Sequence, residues 1–496
     1  MTTKLDDKRV LQTVTKYFQW IMFSHTWEGK EPTFQDVNTV DSIRKLDESS
    51  LNDKLRRFCE TVHEDGYRWA WSDTCCIDKS TSAILSQSLI SMYTWYAEAA
   101  ATLVYLADIL PESGLGGLTT SRWMTRAWTL QELLASRVIR FYDKTWKPYL
   151  NDTRKNHKES PVIMQELANA MGISTDAIIS FLPEDLGVRE KLRLASSRNA
   201  TVEEDTAYSL IGVFSSDIVP RYGLGKTALG YLLENIVSRT GDAAVIAWTG
   251  KSSLYNSALP DSLAVYSQTP YSPPPVENSE LDTRVEELRS RLPPKDALSF
   301  YDHITQLPRT TFFNRRLHLP CIAFTIKQIG VQELGGTQGN LFRASVLLLG
   351  RVEFRTADVM PLNKPQNLVF VHPWLHDLGD PTDGFVSDEE QEAESDAGSD
   401  DVAETESNAS SGNSTNDGSV QIEPLHAEPS ARVDRYTHAL RLIARLGRPF
   451  NALLFERQSG THHYKRVAAE HEIILQGVPP EIDLKRGIRV RSLEIA

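Results

Sequence analysis

Cysteine is scarce in this chain: four in 496 residues, at positions 59, 75, 76 and 321. That excludes a disulfide framework, and the lack of any C-x-x-C pair speaks against a structural zinc site, so no metal is expected. No run approaches the roughly twenty apolar residues that a membrane-spanning helix needs. The opening MTTKLDDKRV is charged where a secretion signal would be apolar. These absences predict a reducing, cytoplasmic setting and no membrane span. A further absence is local. Between Lys364 and Arg432 there is no Lys or Arg, and sixteen of the 66 Asp and Glu fall there. The other 50 nearly balance the 53 Lys and Arg, so the formal net charge of −13 belongs to one segment. The rest offers no broad basic surface, and nucleic acid is not an expected partner.

What is present begins as an alternation of strand and helix. YFQWIMFSHTW (17–27) reads as a strand, and 40–65 has helical spacing through Leu51, Leu55, Phe58 and Val62. A second strand is expected over 67–74, and a helix over 85–100 with Leu85, Leu89, Met92 and Tyr96 on one stripe. ATLVYLADI (101–109) is apolar throughout, as in a strand covered on both faces. A helix over 121–135 and a strand over 138–143 complete the unit. The pattern predicts an α/β fold with a doubly wound, flavodoxin-like parallel sheet over residues 1–150. A helical extension is expected over 151–250, with Thr201 capping a helix from Val202 and Glu204 completing a capping box. Beyond it, HLPCIAFTIKQI, FRASVLLLGRVEF, FNALLFER and IRVRSLEIA predict a β-rich C-terminal domain over 251–382 and 431–496. The acidic stretch 383–430 has too few apolar residues to offset its ordering entropy and is expected to be a disordered insert.

Polar side chains at strand ends are the candidate site, because ligands of open parallel sheets bind there. Ser24, His25, Thr26 and Trp27 end the first strand and could contact a phosphate or ribose. Asp73 ends the second and could hold a ribose hydroxyl. The plainer alternatives are that Ser24 and Thr26 cap or brace the turn, that His25 is a surface residue, and that Asp73 caps a turn. Gly223-Leu-Gly-Lys-Thr227 superficially suggests a phosphate loop, but Pro220 stands where the first glycine is required. His372 and His376 are four apart, yet Pro373 argues against a metal-binding helix.

Four ordered blocks resemble the fungal HET (heterokaryon incompatibility) domain: FSHTW (23–27), WSDTCCIDKS (71–80), MYTWYAEAAATLVYLAD (92–108) and SRWMTRAWTLQELLAS (121–136). The resemblance continues more loosely through SRNATVEEDTAYSLIGVF (197–214), RYGLGKTAL (221–229) and AVIAW (244–248). It implies a role in vegetative incompatibility, a form of non-self recognition and innate immunity that ends in programmed cell death. A deeper similarity is to TIR domains. Trp128-Thr-Leu-Gln-Glu132-Leu resembles the segment whose glutamate is catalytic in TIR domains that cleave NAD. The resemblance implies Glu132 as the catalytic carboxylate, with Trp128 beside it to raise its pKa or to stack on a flat ring. The spacing of Thr125, Trp128 and Glu132 puts them on one helical face. A positioned carboxylate can stabilise an oxocarbenium-like state or orient water. The plainer alternative pairs Glu132 with Arg126 or Arg137 and buries Trp128 in the core. Two functions therefore stand. One is an NAD glycohydrolase-like enzyme with NAD or a related nucleotide as substrate and no cofactor. The other is an adaptor without turnover that self-associates or binds other incompatibility or death-signalling proteins.

Overall fold

The computed structural model describes residues 7–39, 43, 50–272, 277–333, 340–347, 349–358, 360, 365–374, 429–477 and 488–496. The acidic insert expected at 383–430 lies, apart from its last two residues, outside the described residues, as does His376.

The first unit is built on four parallel strands: β1 (Trp20–His25), β2 (Trp69–Trp71), β3 (Ala101–Tyr105) and β4 (Ile139–Tyr142), in the order β2-β1-β3-β4. Helix α1 (Asp7–Phe18) precedes β1, and a short α2 (Phe34–Asn38), capped by Thr33 and Asp36, follows it. Then come α3 (Ser50–Glu64), α4 (Ser82–Glu98), α5 (Gly117–Thr120), α6 (Arg122–Thr125) and α7 (Thr129–Ala135). Side chains alternate across β1. Ile21 and Phe23 pack with Leu55, Phe58 and Val62 of α3 on one face. Met22 joins Leu89, Met92 and Tyr96 of α4 and Leu130 and Leu133 of α7 on the other. With helices on both faces the sheet is doubly wound, and every residue of β3 is buried.

The helix expected over 121–135 is instead two short helices. Arg126 is extended (φ −78°, ψ 137°), and Ala127 N–H donates to Asn199 O at 2.8 Å while Asn199 N–H donates to Thr125 O at 2.6 Å. A remote backbone segment thus takes hydrogen bonds that would otherwise close the helix. Thr125 and Glu132 lie on separate helices, not on one helical face.

The extension contains α8 (Pro161–Met171), α9 (Thr175–Ile179), α10 (Val188–Ser196), α11 (Asp205–Tyr208) and α12 (Thr227–Thr240). The expected Thr201 cap is not formed. Helix α11 begins at Asp205, and Glu204 is drawn away to accept from Gly223 and Gly225 N–H, each at 2.8 Å. Those glycines hold φ of +95° and +54°, conformations that make two amides converge on one oxygen. The glycine loop therefore binds the chain's own carboxylate. Gly212 seats this region on α4: a Cβ there would meet Tyr93 Cβ at 2.1 Å. Gly212→Ala is expected to cost about 1–3 kcal/mol through overpacking. Thermal denaturation beside wild type checks it, and an unchanged Tm would show that α4 can move aside.

Among the described residues, the C-terminal half holds α13 (Asn278–Arg291), α14 (Pro294–Thr305) and α15 (Pro429–Leu446), none of them expected from the sequence, against nine strands. These are β5 (Thr311–Phe313), β6 (Arg316–Glu333), β7 (Asn340–Val346), β8 (Gly350–Phe354), β9 (Leu368–Pro373), β10 (Phe450–Arg457), β11 (Tyr464–Val467), β12 (Ile473–Leu475) and β13 (Ile488–Ile495). The long β6 pairs with both β9 and β13, and the circuit β6-β9-β10-β11-β13 returns to β6. One apolar core runs from Met22 and Val104 through α8, α10 and α12 to Phe312, Leu319, Phe455 and Ile495, so it crosses position 250 without a break. Arg466 of β11 reinforces that crossing. Its guanidinium lies 3.8 Å over the Trp248 ring and donates to Trp248 O at 2.6 Å and Ile246 O at 2.7 Å.

Candidate functional site

The carboxyl end of β1 is where the chemistry gathers. In the order β2-β1-β3-β4 the connections leaving β1 and entering β3 run on opposite faces, so the crevice between those strands is the topological switch point. Alternation at the end of β1 splits the FSHTW residues between the two faces.

On the α7 face, Ser24 O–H donates to Glu132 Oε2, and Trp123 Nε1–H donates to Ser24 Oγ at 2.7 Å. Trp123 is held there because Asp108, just past β3, accepts from Ser121 Oγ and from Arg122 N–H, each at 2.7 Å, and so fixes the start of α6. Ser24 and Glu132 are only 1% and 6% exposed. Burial pushes the Glu132 carboxyl up to about 7, against the opposing pull of the Ser24 hydrogen bond and of Arg126 and Arg198. Arg198 is itself buried and donates to Arg126 O at 3.2 Å and Thr129 Oγ1 at 2.9 Å. The segment that breaks the helix also brings this positive charge close to Glu132.

On the α3 face, the His25 ring stacks on Phe23 with centroids 4.4 Å apart. Its Nε2 lies 3.5 Å from Asp73 Oδ1, and its Nδ1 3.3 Å from Thr26 O. Burial lowers the His25 pKa and so favours the neutral ring, with Asp73 opposing. Asp73 is driven down to about 2: burial alone would raise it, but His25, Arg126 and Lys79 outweigh burial. Trp27, 44% exposed, donates from Nε1 to Asp73 Oδ2 at 2.9 Å. Lys79 Nζ sits 3.8 Å and the Arg126 guanidinium 5.3 Å from the Trp27 ring centroid. Thr26 is buried, and its carbonyl accepts from Lys54 Nζ at 3.3 Å, which also pairs with Glu31.

Ser24 and Glu132 thus meet directly, and His25, Trp27 and Asp73 form a second group around the same strand end. Trp128 stands apart. It is buried and donates from Nε1 to Asp205 Oδ2 at 3.0 Å. Arg126, named from the sequence as a possible partner of Glu132, lies close enough to lower its pKa, while Trp123, Asp108, Glu31, Lys54, Lys79 and Arg198 complete the site and were not singled out from the sequence. Trp123 and Arg126 stand inside the SRWMTRAW block, which is the one signal that pointed near them. Among the described residues, no group of three or more His, Cys, Asp or Glu is placed to hold a metal. No helix among them is long and apolar enough to cross a membrane.

This arrangement offers a carboxyl poised near neutrality, a hydroxyl bound to it, and a cationic rim of Lys79 and Arg126 beside an exposed indole. Comparison with known proteins agrees with the block pattern. Residues 20–120 match the family model for heterokaryon incompatibility protein (HET). Vegetative incompatibility protein HET-E-1 of Podospora anserina is 33% identical over 229 residues, which covers 44% of this chain and 16% of that protein. The chain therefore spans about one sixth of the length of that relative. No solved structure matches it. The FSHTW strand end lies within the matched stretch, so residues 20–120 of this chain are similar to the heterokaryon incompatibility (HET) domain.

Proposed function

We propose that this protein acts in heterokaryon incompatibility and triggers cell death by TIR-like cleavage of NAD or a related nucleotide at Glu132. The observation that carries the reading is the Glu132 carboxyl: buried, held near pKa 7, bonded to Ser24 and placed at the switch point of a parallel sheet. Lys79 and Arg126 suit the pyrophosphate of such a substrate, and Asp73 suits a ribose hydroxyl. In the reaction the bond between nicotinamide and the ribose anomeric carbon breaks, and its electron pair leaves with nicotinamide. Water oxygen bonds to that carbon, and Glu132 as carboxylate takes the water proton and returns it to solvent. The products are nicotinamide and ADP-ribose. The test is NAD loss with the purified full chain, dilute and concentrated. Turnover that disappears in Glu132→Gln supports the reading, and turnover that survives it refutes the role of Glu132.

A second reading, an adaptor without turnover, has its own support. The Ser24–Glu132 pair is closed to solvent, whereas Leu11, Phe18 and Trp69 are 67%, 57% and 48% exposed. Trp69 opens β2, the edge strand of the four-stranded sheet, and Phe18, on the same helix as Leu11, stacks on its ring. An exposed apolar group beside a sheet edge suits association with another protein or a second copy. Concentration-dependent mass in solution, together with no NAD loss in the associated form, would favour this reading.

A further inference from the structure

The C-terminal sheet carries a cleft remote in sequence from the HET-like region. It encloses about 400 Å³ and is lined by His318, Arg457, His462, Tyr464, Arg491 and Glu494, with Ser492 and Leu493. Four strands border the cleft. His318 of β6 lies opposite Glu494 of β13, Cys321 lies opposite Arg491, and Arg457 ends β10 opposite Tyr464 of β11. Glu494 is the cleft's single acid, and it is already engaged by His463 Nδ1 at 3.1 Å and Arg316 Nε at 3.9 Å. Among the described residues, Arg457 and Arg491 have no carboxylate partner. Arg491 is held 5.2 Å over the Tyr464 ring, and its Nε is buried without a hydrogen-bond acceptor. Two unneutralised guanidiniums and a buried N–H lacking an acceptor describe a site for an anion.

The chain itself leads an anion to this place. β9 runs along β6 with Pro373 opposite Cys321, and Trp374 N–H donates to Pro320 O at 2.9 Å. The described chain therefore leaves the sheet beside Pro320, two residues along β6 from His318, which is about 7 Å of strand. Ahead lies the stretch without Lys or Arg, and ten of the nineteen residues 388–406 are Asp or Glu. Tethered so close, these carboxylates reach the cleft at high effective concentration. We infer that the cleft binds the carboxylate-rich segment 383–406 of the same chain, with Arg457 and Arg491 as its principal contacts. The attraction is electrostatic and weakens as salt shortens the screening length.

The test uses the full chain carrying Arg457→Lys, which keeps the charge and places an amine in the cleft. A carbodiimide then activates a nearby carboxyl group, and the amine attacks its carbonyl carbon to form an amide while the carbodiimide leaves as a urea. Peptide mapping should find position 457 joined to Asp or Glu within 383–406, and about tenfold less of this product near 0.5 M NaCl. A mixture of unlabelled and isotope-labelled chains should give the product within one chain. Joining only between chains, which makes a second copy the occupant, overturns the inference. So does a yield no higher than at the exposed Lys251. Wild-type chain gives a check independent of the variant's folding. A glutamate-specific protease should cut 383–406 about tenfold more slowly in the chain than in a free peptide of that sequence at low salt. Equal rates would overturn the inference.

Discussion

Glu132→Gln is expected to abolish nucleotide cleavage, by roughly 10²–10⁴-fold, while stabilising the fold above neutral pH. The two effects share one cause. In the native chain burial holds the Glu132 carboxyl at about 7, against an ordinary value of 4.5. The folded state keeps this proton over a range where the unfolded chain has released it. Ionisation then favours unfolding, so stability is lost as pH rises from about 4.5 to about 7 and stays lost above. A difference of this size corresponds to about 3 kcal/mol. Glutamine keeps an oxygen to accept from Ser24 and carries no charge, so the variant should lack this loss. Denaturant unfolding at about pH 4.5 and pH 8 checks it: the two chains should be equally stable at the lower pH, and the variant more stable at the higher. Equal stability at both would mean that Glu132 is solvated in the folded chain and lacks the environment argued for it.

The second large effect concerns the chain's integrity. Truncation after Gly250 is expected to abolish native folding of the HET-like half. The cut removes Tyr255, Leu259, Tyr266, Phe312, Leu319 and Phe455 from a core that also holds Leu232, Leu233, Ile236 and Trp248. The interlocking is specific. A Cβ on Gly230 would meet Tyr255 Cγ at 2.3 Å, Trp248 Nε1–H donates to Ala258 O at 2.8 Å, and Tyr266 O–H donates to Val245 O at 2.6 Å. Each large side chain contributes about 1.5–3 kcal/mol on burial, and domains as a whole keep only about 5–15 kcal/mol. Loss of six such partners exceeds that margin. Residues 1–250 should be insoluble, or lack near-ultraviolet circular dichroism and bind a hydrophobic dye. A cooperative melt with native aromatic ellipticity would place a real boundary at 250. For the same reason, assays of the site belong on the full chain.

Much of the first unit was legible from local pattern. β3 reads as a covered strand because every residue in it is apolar or small, and it is buried on both faces. Ser24, His25 and Asp73 were legible because strand ends collect polar residues. The contact of Ser24 with Glu132 was not, since it joins positions 108 residues apart. The single helix expected over 121–135 failed for a related reason. Its break is made by Asn199, which pairs with Thr125 and Ala127, and no spacing inside 121–135 encodes that pairing. The Thr201 cap gave way in the same manner: Glu204 found two converging glycine amides stronger partners than a helix start. Helices α13 and α14 follow a proline-rich stretch and show the core only a few apolar residues, among them Leu281, Val285, Leu288 and Phe300, so their period is faint against the strands that follow.

The central claim is that a protonatable Glu132 at the end of β1 performs nucleotide cleavage. Its most direct test is the pH dependence of NAD loss catalysed by the concentrated full chain, beside Glu132→Gln. The account predicts a rate that rises through a single ionisation near pH 7, matching the Glu132 carboxyl, and no rate above background in the variant. No NAD loss at any pH, or an equal rate in the variant, would contradict it and leave Glu132 as a buried partner of Ser24 in a binding module.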